Sequence, residues 1–285
     1  MLFRSEVARS KKELQEWINP IKNAGKTLGF VPTMGALHAG HQSLILRASA
    51  ACDVVVLSIY VNPRQFNDVK DFEKYPKTEE SDLELAQKAG VDMVYFPQYL
   101  ELFAEEKCVP NFNLMGLDGI MEGASRPGHF KGVIEVVYSL FAHVTPTFAY
   151  FGQKDFQQLA IIQRMVSELN LPLEIVACET FRENSGLALS SRNMRLSETQ
   201  KQEALILIKT LRFVRDEIDK KKELIEILAS AKKKFEASPL RLDYLNVVDA
   251  RTLQPVSKIE SMAVICIAAF CDAVRLIDNL LLYPN

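Results

Sequence analysis

Val54–Val61 (VVVLSIYV) constrains the fold more than any other stretch, because it is rich in β-branched residues and its only polar break is Ser58. A strand apolar on both faces belongs in the middle of a parallel sheet, with helices covering each side. The flanking sequence follows that plan. Lys11–Ile21 places Leu14, Trp17, Ile18 and Ile21 on one helical face. Leu28–Val31 reads as a buried parallel strand, Pro32–Gly40 breaks the ladder with proline and glycine, and from about His41 the residues Leu44, Ile45 and Ala48 recur at helical spacing. Strands at Val91–Phe96, Phe148–Phe151 and Leu173–Cys178 alternate with helices at Glu79–Ala89, Gly132–His143 and Phe156–Leu169. This alternation predicts an α/β fold with a doubly wound parallel sheet over residues 1–177. Tyr99–Gly119 shows no period. Beyond the sheet the texture changes: helices at Glu198–Ile218 and Lys221–Ala237 precede strands at Leu240–Val248, Ala263–Phe270 and Arg275–Leu282, predicting a smaller α+β domain over residues 178–285.

Composition restricts the partners. Lys and Arg number 34 and Asp and Glu 36, so the net charge is 34 − 36 = −2 and no bulk field favours nucleic acid or an anionic membrane. Any anion site must be local. No apolar run is long enough to span a bilayer, and MLFRSEVARSKKELQEW lacks the plan of a secretory signal, so a cytoplasmic location is expected. The cysteines (Cys52, Cys108, Cys178, Cys266, Cys271) are scattered and odd in number, which argues for reduced core residues instead of a disulfide framework. The lysine runs at 220–222 and 232–234 read as solvated helix faces.

Several polar clusters stand out from this apolar frame. In Phe30–Leu46 (FVPTMGALHAGHQSLIL) a strand passes through a tight turn into a helix N-terminus, where backbone N–H groups and a partial positive charge suit a phosphate or carboxylate; His38 and His41 stand at that entrance. Zinc is a poor fit, because no further His or Cys lies at ligand spacing. Asn62–Pro63 ends the Val54 strand and leaves Arg64, Gln65, Phe66 and Asn67 at its carboxyl edge, where open α/β sheets bind ligands. Arg126, His129 and Lys131 form a second basic helix entrance, while His143 reads as core. Lys154–Asp155 is either a helix cap or a lysine on phosphate beside a carboxylate on ribose, and Ser190–Asn193 (SSRN) is either a polar loop or a mobile pyrophosphate clamp. Neither G-x-G-x-x-G after a strand nor G-x4-G-K-[ST] is present, which disfavours a dehydrogenase and a P-loop kinase.

Taken together, PTMGALHAGH (32–41), VNPRQF (61–66), RPGHFKGV (126–133), FGQKDFQQ (151–158) and GLALSSRN (186–193) resemble the pantothenate synthetases, the pantoate–β-alanine ligases of the HIGH-type nucleotidyltransferase superfamily. YLNVVD (244–249) and RLIDN (275–279) are similar to that family as well. The resemblance implies a Rossmann-like domain binding ATP and pantoate, a C-terminal lid domain and a homodimer. It implies that pantoate and ATP give pantoyl adenylate and pyrophosphate, and that β-alanine then releases AMP and pantothenate. By motif position, His38, His41, Lys154, Ser190, Ser191 and Arg192 serve the ATP phosphates, and Gly152 and Asp155 the ribose. Gln65 and Gln158 hold pantoate, Met34 lines that pocket and touches ATP, and Asn62, Tyr75, Arg126 and His129 lie on the substrate side. Mg2+ rides on the ATP phosphates, with Asp82 the nearest matching carboxylate. The chain departs from the family pattern at Arg64, expected to point to solvent, and at Asn184, Ser185 and Leu189, near the adenine side of the loop.

Overall fold

In a computed structural model, which describes residues 5–67, 69–103, 109–218, 220 and 222–284, the Val54 run is a strand at the heart of a parallel sheet. The strands of that sheet are Glu6–Ala8 (β1), Leu28–Thr33 (β2), Val54–Ile59 (β3), Met93–Tyr95 (β4), Phe148–Gly152 (β5) and Glu174–Cys178 (β6), in the order β1-β4-β3-β2-β5-β6. β1 escaped the sequence reading because EVA is too short to show a period; it pairs in parallel with β4 at the sheet edge. Lys11–Asn23 (α1), Ala39–Ala51 (α2), Val69–Glu73 (α3), Glu79–Ala89 (α4), Tyr99–Phe103 (α5), Glu122–Ser125 (α6), His129–Val144 (α7) and Phe156–Glu168 (α8) connect them.

Local signals explain the ends of these helices. Ser10 accepts from the Glu13 amide and the Glu13 carboxylate accepts from the cap backbone, a capping box that contributes about 1 kcal/mol to α1. Gly90, at φ 92°, closes α4 by donating to Ala86 O, a conformation that costs glycine little. Val31, Ile45, Val55, Leu57, Ala86 and Val94 pack one buried face between sheet and helices.

Pro32 corrects one expectation. It does not break β2 but lies within it, opposite Ser58. Backbone phase gives the reason. Thr27 O and Thr33 O accept from Val54 and Tyr60 on the β3 side, whereas Leu28 O accepts from Thr147 on the other, so alternate residues face alternate neighbours. Pro32 shares the phase of Leu28, and its missing N–H faces the β5 side, where pairing has already ended at Phe30 and Ala149.

One further correction concerns a loop. Tyr99–Gly119, read as irregular, begins with α5; residues 104–108, Cys108 among them, lie outside the described residues, as does Lys221. Arg64, expected to point to solvent, is exposed, and at that surface it bonds Glu135 at 2.9 Å and Tyr99 Oη at 3.1 Å and lies 4.2 Å from the Phe103 ring centroid. Its guanidinium is anchored by a carboxylate and aromatic faces together.

The chain divides into two units: Met1–Gln153 with Ile161–Glu179, and Lys154–Ala160 with Thr180–Asn285. The second contains Glu198–Ile218 (α9), Leu224–Phe235 (α10) and an antiparallel sheet of Arg241–Asp249 (β7), Ala263–Cys271 (β8) and Val274–Leu282 (β9), in the order β7-β8-β9. Its core gathers Ile208, Leu211 and Val214 of α9 with Phe235 of α10, Val247 of β7 and Ile265 of β8.

Candidate functional site

The first unit carries the histidine entrance. β2 runs into Gly35 (φ 77°) and Ala36 (φ 48°), and His38 then caps α2. Imidazoles take the place of the hydroxyl and carboxylate of an ordinary capping box. The Gly40 amide donates to His38 Nδ1 at 3.2 Å, and the His38 amide donates to His41 Nδ1 at 3.3 Å. An accepting Nδ1 in a neutral ring leaves the proton on Nε2, so both rings are set in the same tautomer. Their centroids are 4.1 Å apart. The pair therefore presents Nε2–H donors beside a helix N-terminus, an arrangement suited to phosphate oxygens.

Asp82 lies beneath this turn, 2% exposed. Its carboxylate accepts from the Ala36 amide at 3.0 Å, the Leu37 amide at 2.7 Å and Thr78 Oγ1 at 3.1 Å. The residue that resemblance offered to a metal is thus engaged by the loop backbone. Among the described residues no group of three or more His, Cys, Asp or Glu is placed to hold a metal ion.

A second network in the same unit surrounds Gln65. Asn62, 1% exposed, caps the short turn Pro63–Gln65 by accepting from the Arg64 amide and anchors it by donating to Gly132 O at 2.9 Å. Gln65 Nε2 donates to Met34 Sδ at 2.7 Å. The backbone carbonyl of Gln65 lies 2.7 Å from His129 Nδ1. A carbonyl can only accept, so this ring carries its proton on Nδ1, and its Nε2 faces Arg126 Nη1 at 3.2 Å as acceptor. Arg126 and His129, read as a basic helix entrance, thus converge on Gln65. His129 is the first residue of α7, and a side chain at Gly132 would come 2.4 Å from Arg64 O. Tyr75 meets the Phe66 ring edge-on with centroids 5.8 Å apart. His143 lies in the core as expected, 3.0 Å from Tyr95 Oη.

The carboxyl ends of β2 and β5, adjacent in the sheet, carry the histidine loop and Gly152. Strand order reverses between them, which is where such sheets bind ligands. A side chain at Gly152 would meet nothing within 4 Å, so its backbone is open to approach.

In the second unit Lys154, Ser190 and Arg192 line one cleft with Asn193, Arg275 and Asp278. Lys154 Nζ lies 3.6 Å from Asp155 Oδ1; the lysine side chain is 16% exposed and that of Asp155 50%. Gln158 is half-buried, and its neighbour Gln157 is buried. Ser190 Oγ accepts from the Arg192 amide and caps the turn Ser191–Arg195, while Asn193 donates to Ala188 O at 3.0 Å. The sequence reading missed the supports of this cleft. Arg182 forms a bidentate pair with Asp278 at 2.7 and 2.8 Å and also donates to Gly186 O. Asn279 donates to Lys154 O. The RLIDN motif was the only signal, and its spacing reveals no partner.

Burial pushes the Cys178 and Cys271 thiols up, so neither is an activated nucleophile. Among the described residues Cys52, Cys178, Cys266 and Cys271 are not joined in disulfides. No helix among the described residues is long and apolar enough to cross a membrane.

A parallel sheet with this order, helices around it and a donor-rich helix entrance at its carboxyl edge define a Rossmann-like α/β protein. The chain belongs to the pantoate-beta-alanine ligase family, whose sequence model matches residues 6–281. It is 48% identical over 279 residues to a pantothenate synthetase of Phocaeicola vulgatus, covering 96% of this chain and 98% of that one. The crystal structure of a pantothenate synthetase from Thermus thermophilus superposes with a TM-score of 0.89 at 40% identity, covering 98% of this chain and 100% of the other. A pantoate-beta-alanine ligase of Francisella tularensis, solved in complex with beta-gamma ATP and beta-alanine, matches with a TM-score of 0.80 at 33% identity over 97% of each chain.

Proposed function

We infer that this chain condenses pantoate with β-alanine to pantothenate, using ATP, through a pantoyl-adenylate intermediate. A carboxylate is a weak nucleophile and a poor electrophile. Activation as a mixed anhydride with AMP remedies the second fault, and alignment of its oxygen with the α-phosphorus remedies the first. The amine of β-alanine then attacks the activated carbonyl, forming the amide and expelling AMP.

The observation that carries this reading is the shared tautomer of His38 and His41. Both Nδ1 atoms accept backbone amides, so Nε2–H donors are oriented before substrate arrives. Fixed donors aimed at the departing pyrophosphate stabilise charge as it develops, without reorganisation. Lys154, Ser190, Ser191 and Arg192 share that work, and Gly152 and Asp155 meet the ribose. Gln65 and Gln158 hold pantoate with Met34, while Asn62, whose carbonyl accepts from the Gln65 amide, and Arg126 and His129, which bond the Gln65 carbonyl, act through Gln65; Tyr75 completes the substrate side. Residues 178–285 serve as a lid for a domain of residues 1–177. The Francisella complex supports ATP and β-alanine as ligands. Mg2+ enters on the triphosphate, an ion that keeps much of its water and needs few protein ligands. The enzyme works in the cytoplasm as a homodimer.

Exchange of labelled pyrophosphate into ATP tests the order of steps. Exchange is expected with pantoate present and β-alanine absent. Its absence, or an equal rate without pantoate, overturns the reading.

A further inference from the structure

The turn before α2 holds two consecutive left-handed residues, Gly35 and Ala36, and the Cβ of the second makes that conformation strained. Something must hold it there. The amides that follow, Ala36 and Leu37, converge on the Asp82 carboxylate, a group 46 and 45 residues away in sequence. Hydrogen bonds to a charged acceptor are stronger than those between neutral groups, and two of them together offset the strain of one alanine. Converging amides in such a turn make a concavity suited to an anion. Here Asp82 is that anion, supplied by the protein itself.

We propose that Asp82 is a positioning residue for adenylation: it occupies the amide concavity at Ala36 and Leu37 and so places His38 and His41. Three observations converge on it. The carboxylate is 2% exposed and takes three donors. It sits in the first turn of α4, whose own packing against α2 fixes its height under the loop. A Cβ at Gly35 would come 3.0 Å from Asp82 Oδ2, so the loop and carboxylate fit without spare room. Substrate phosphate is thereby directed to the imidazole Nε2–H groups and the helix entrance, not to the Ala36 and Leu37 amides. Three donors occupy three of the roughly four lone-pair sites of the carboxylate, so a metal there would have to share it with the bonds that hold the strained turn. This proposal rests on the adenylation reading for its kinetic arm only.

The test is Asp82→Asn in the full chain, with amide hydrogen exchange and pantoate-dependent pyrophosphate exchange measured together. A carboxamide turns an N–H toward one of the two amides, so protection of Ala36 and Leu37 is expected to fall. The exchange rate is expected to drop at least about tenfold, since small misplacements of reacting groups cost up to about a hundredfold. The Mg2+ concentration giving half-maximal rate is expected to stay within about twofold of wild type, because the ion's own ligands are untouched. A rise in that concentration, with full rate regained in excess Mg2+, would make Asp82 a metal ligand and overturn the proposal; so would wild-type protection and rate. If wild-type protein shows no pantoate-dependent exchange, the ligase reading fails, while amide protection still tests the loop. Thr78→Val removes one donor from the same carboxylate and gives a milder version should Asp82→Asn fail to fold. It is expected to shift the same amides and rate in the same direction, and no change in either would count against the proposal.

Discussion

Asn279 of β9 donates from Nδ2 to the backbone carbonyl of Lys154 at 2.9 Å, joining the C-terminal sheet to the segment that carries the lysine. The neighbouring Asp278 holds Arg182, at the base of the loop leading to Ser190 and Arg192. One dipeptide thus braces both donor segments of the cleft.

Replacing Asn279 with leucine strands the Lys154 carbonyl. Loss of this partly buried bond with its acceptor left unpaired costs about 1 kcal/mol, so the urea midpoint is expected to fall by that equivalent. The KM for ATP is expected to rise alongside it. An unchanged KM would show that the lysine does not depend on this brace.

The Arg182–Asp278 pair is expected to behave non-additively. Asp278 is 3% exposed at its side chain and Arg182 18%. Removing either partner leaves a charge without its counter-charge in a low-dielectric setting, at a cost of about 3–5 kcal/mol. Arg182→Met alone is therefore expected to destabilise more than Arg182→Met with Asp278→Leu, as measured by chemical denaturation. A double variant worse than the single would refute this.

Gly132→Ala tests how tightly Gln65 is held. The added methyl would come 2.4 Å from Arg64 O, and backbone cannot yield as a side-chain tip can. The short turn bearing Asn62 and Gln65 must shift. A several-fold rise in the KM for pantoate is expected, with a loss of stability of about 1–3 kcal/mol from overpacking. ATP binding measured in the absence of pantoate is expected to change less.

His41→Ala removes both an Nε2–H donor and the acceptor of the His38 amide. The helix cap is expected to lose about 1 kcal/mol, visible as a small drop in thermal midpoint. The adenylation rate is expected to fall by about two to three orders of magnitude, as for loss of one preorganised donor at a developing anion. Wild-type exchange in this variant would remove His41 from the mechanism.

Asp249 predicts part of the acid response. Its carboxylate accepts from the Thr252 and Arg251 amides, Thr252 Oγ1 and Ser261 Oγ, and these donors hold its pKa below the usual 3.8. Because the folded value is depressed, the stabilisation is fully present above the unfolded pKa and is lost as pH falls through the folded one. Stability followed by urea denaturation from about pH 5 downward is expected to fall less steeply in Asp249→Asn than in wild type. Equal slopes would show that the turn does not couple to folding.

Much of the fold was legible because its signals are local. The apolar run at Val54, the helical spacing in Glu198–Ile218 and the Gly90 stop each act within a few residues, and the structure places elements there. Strand β1 was not legible, because three residues are too few to show a period and EVA becomes a strand only by lying beside β4. Pro32 misled for a related reason: whether a proline breaks a strand depends on which neighbour its missing N–H would face.

His38 and His41 could be recognised at a helix entrance from chain order alone, yet their tautomer could not. That depends on which backbone amides reach Nδ1. Asp82 shows the same division. The sequence by itself determined the alternation of strands and helices, the polar residues at the sheet's carboxyl edge and the family likeness, because periodicity, turn chemistry and motif order are written along the chain. Only the tertiary structure decided that Asp82 serves the Ala36–Leu37 turn, that Arg126 and His129 hold Gln65, and that Asn279 holds Lys154. These contacts join groups dozens of residues apart, and hydrogen bonding at such separation is set by where packing delivers each group.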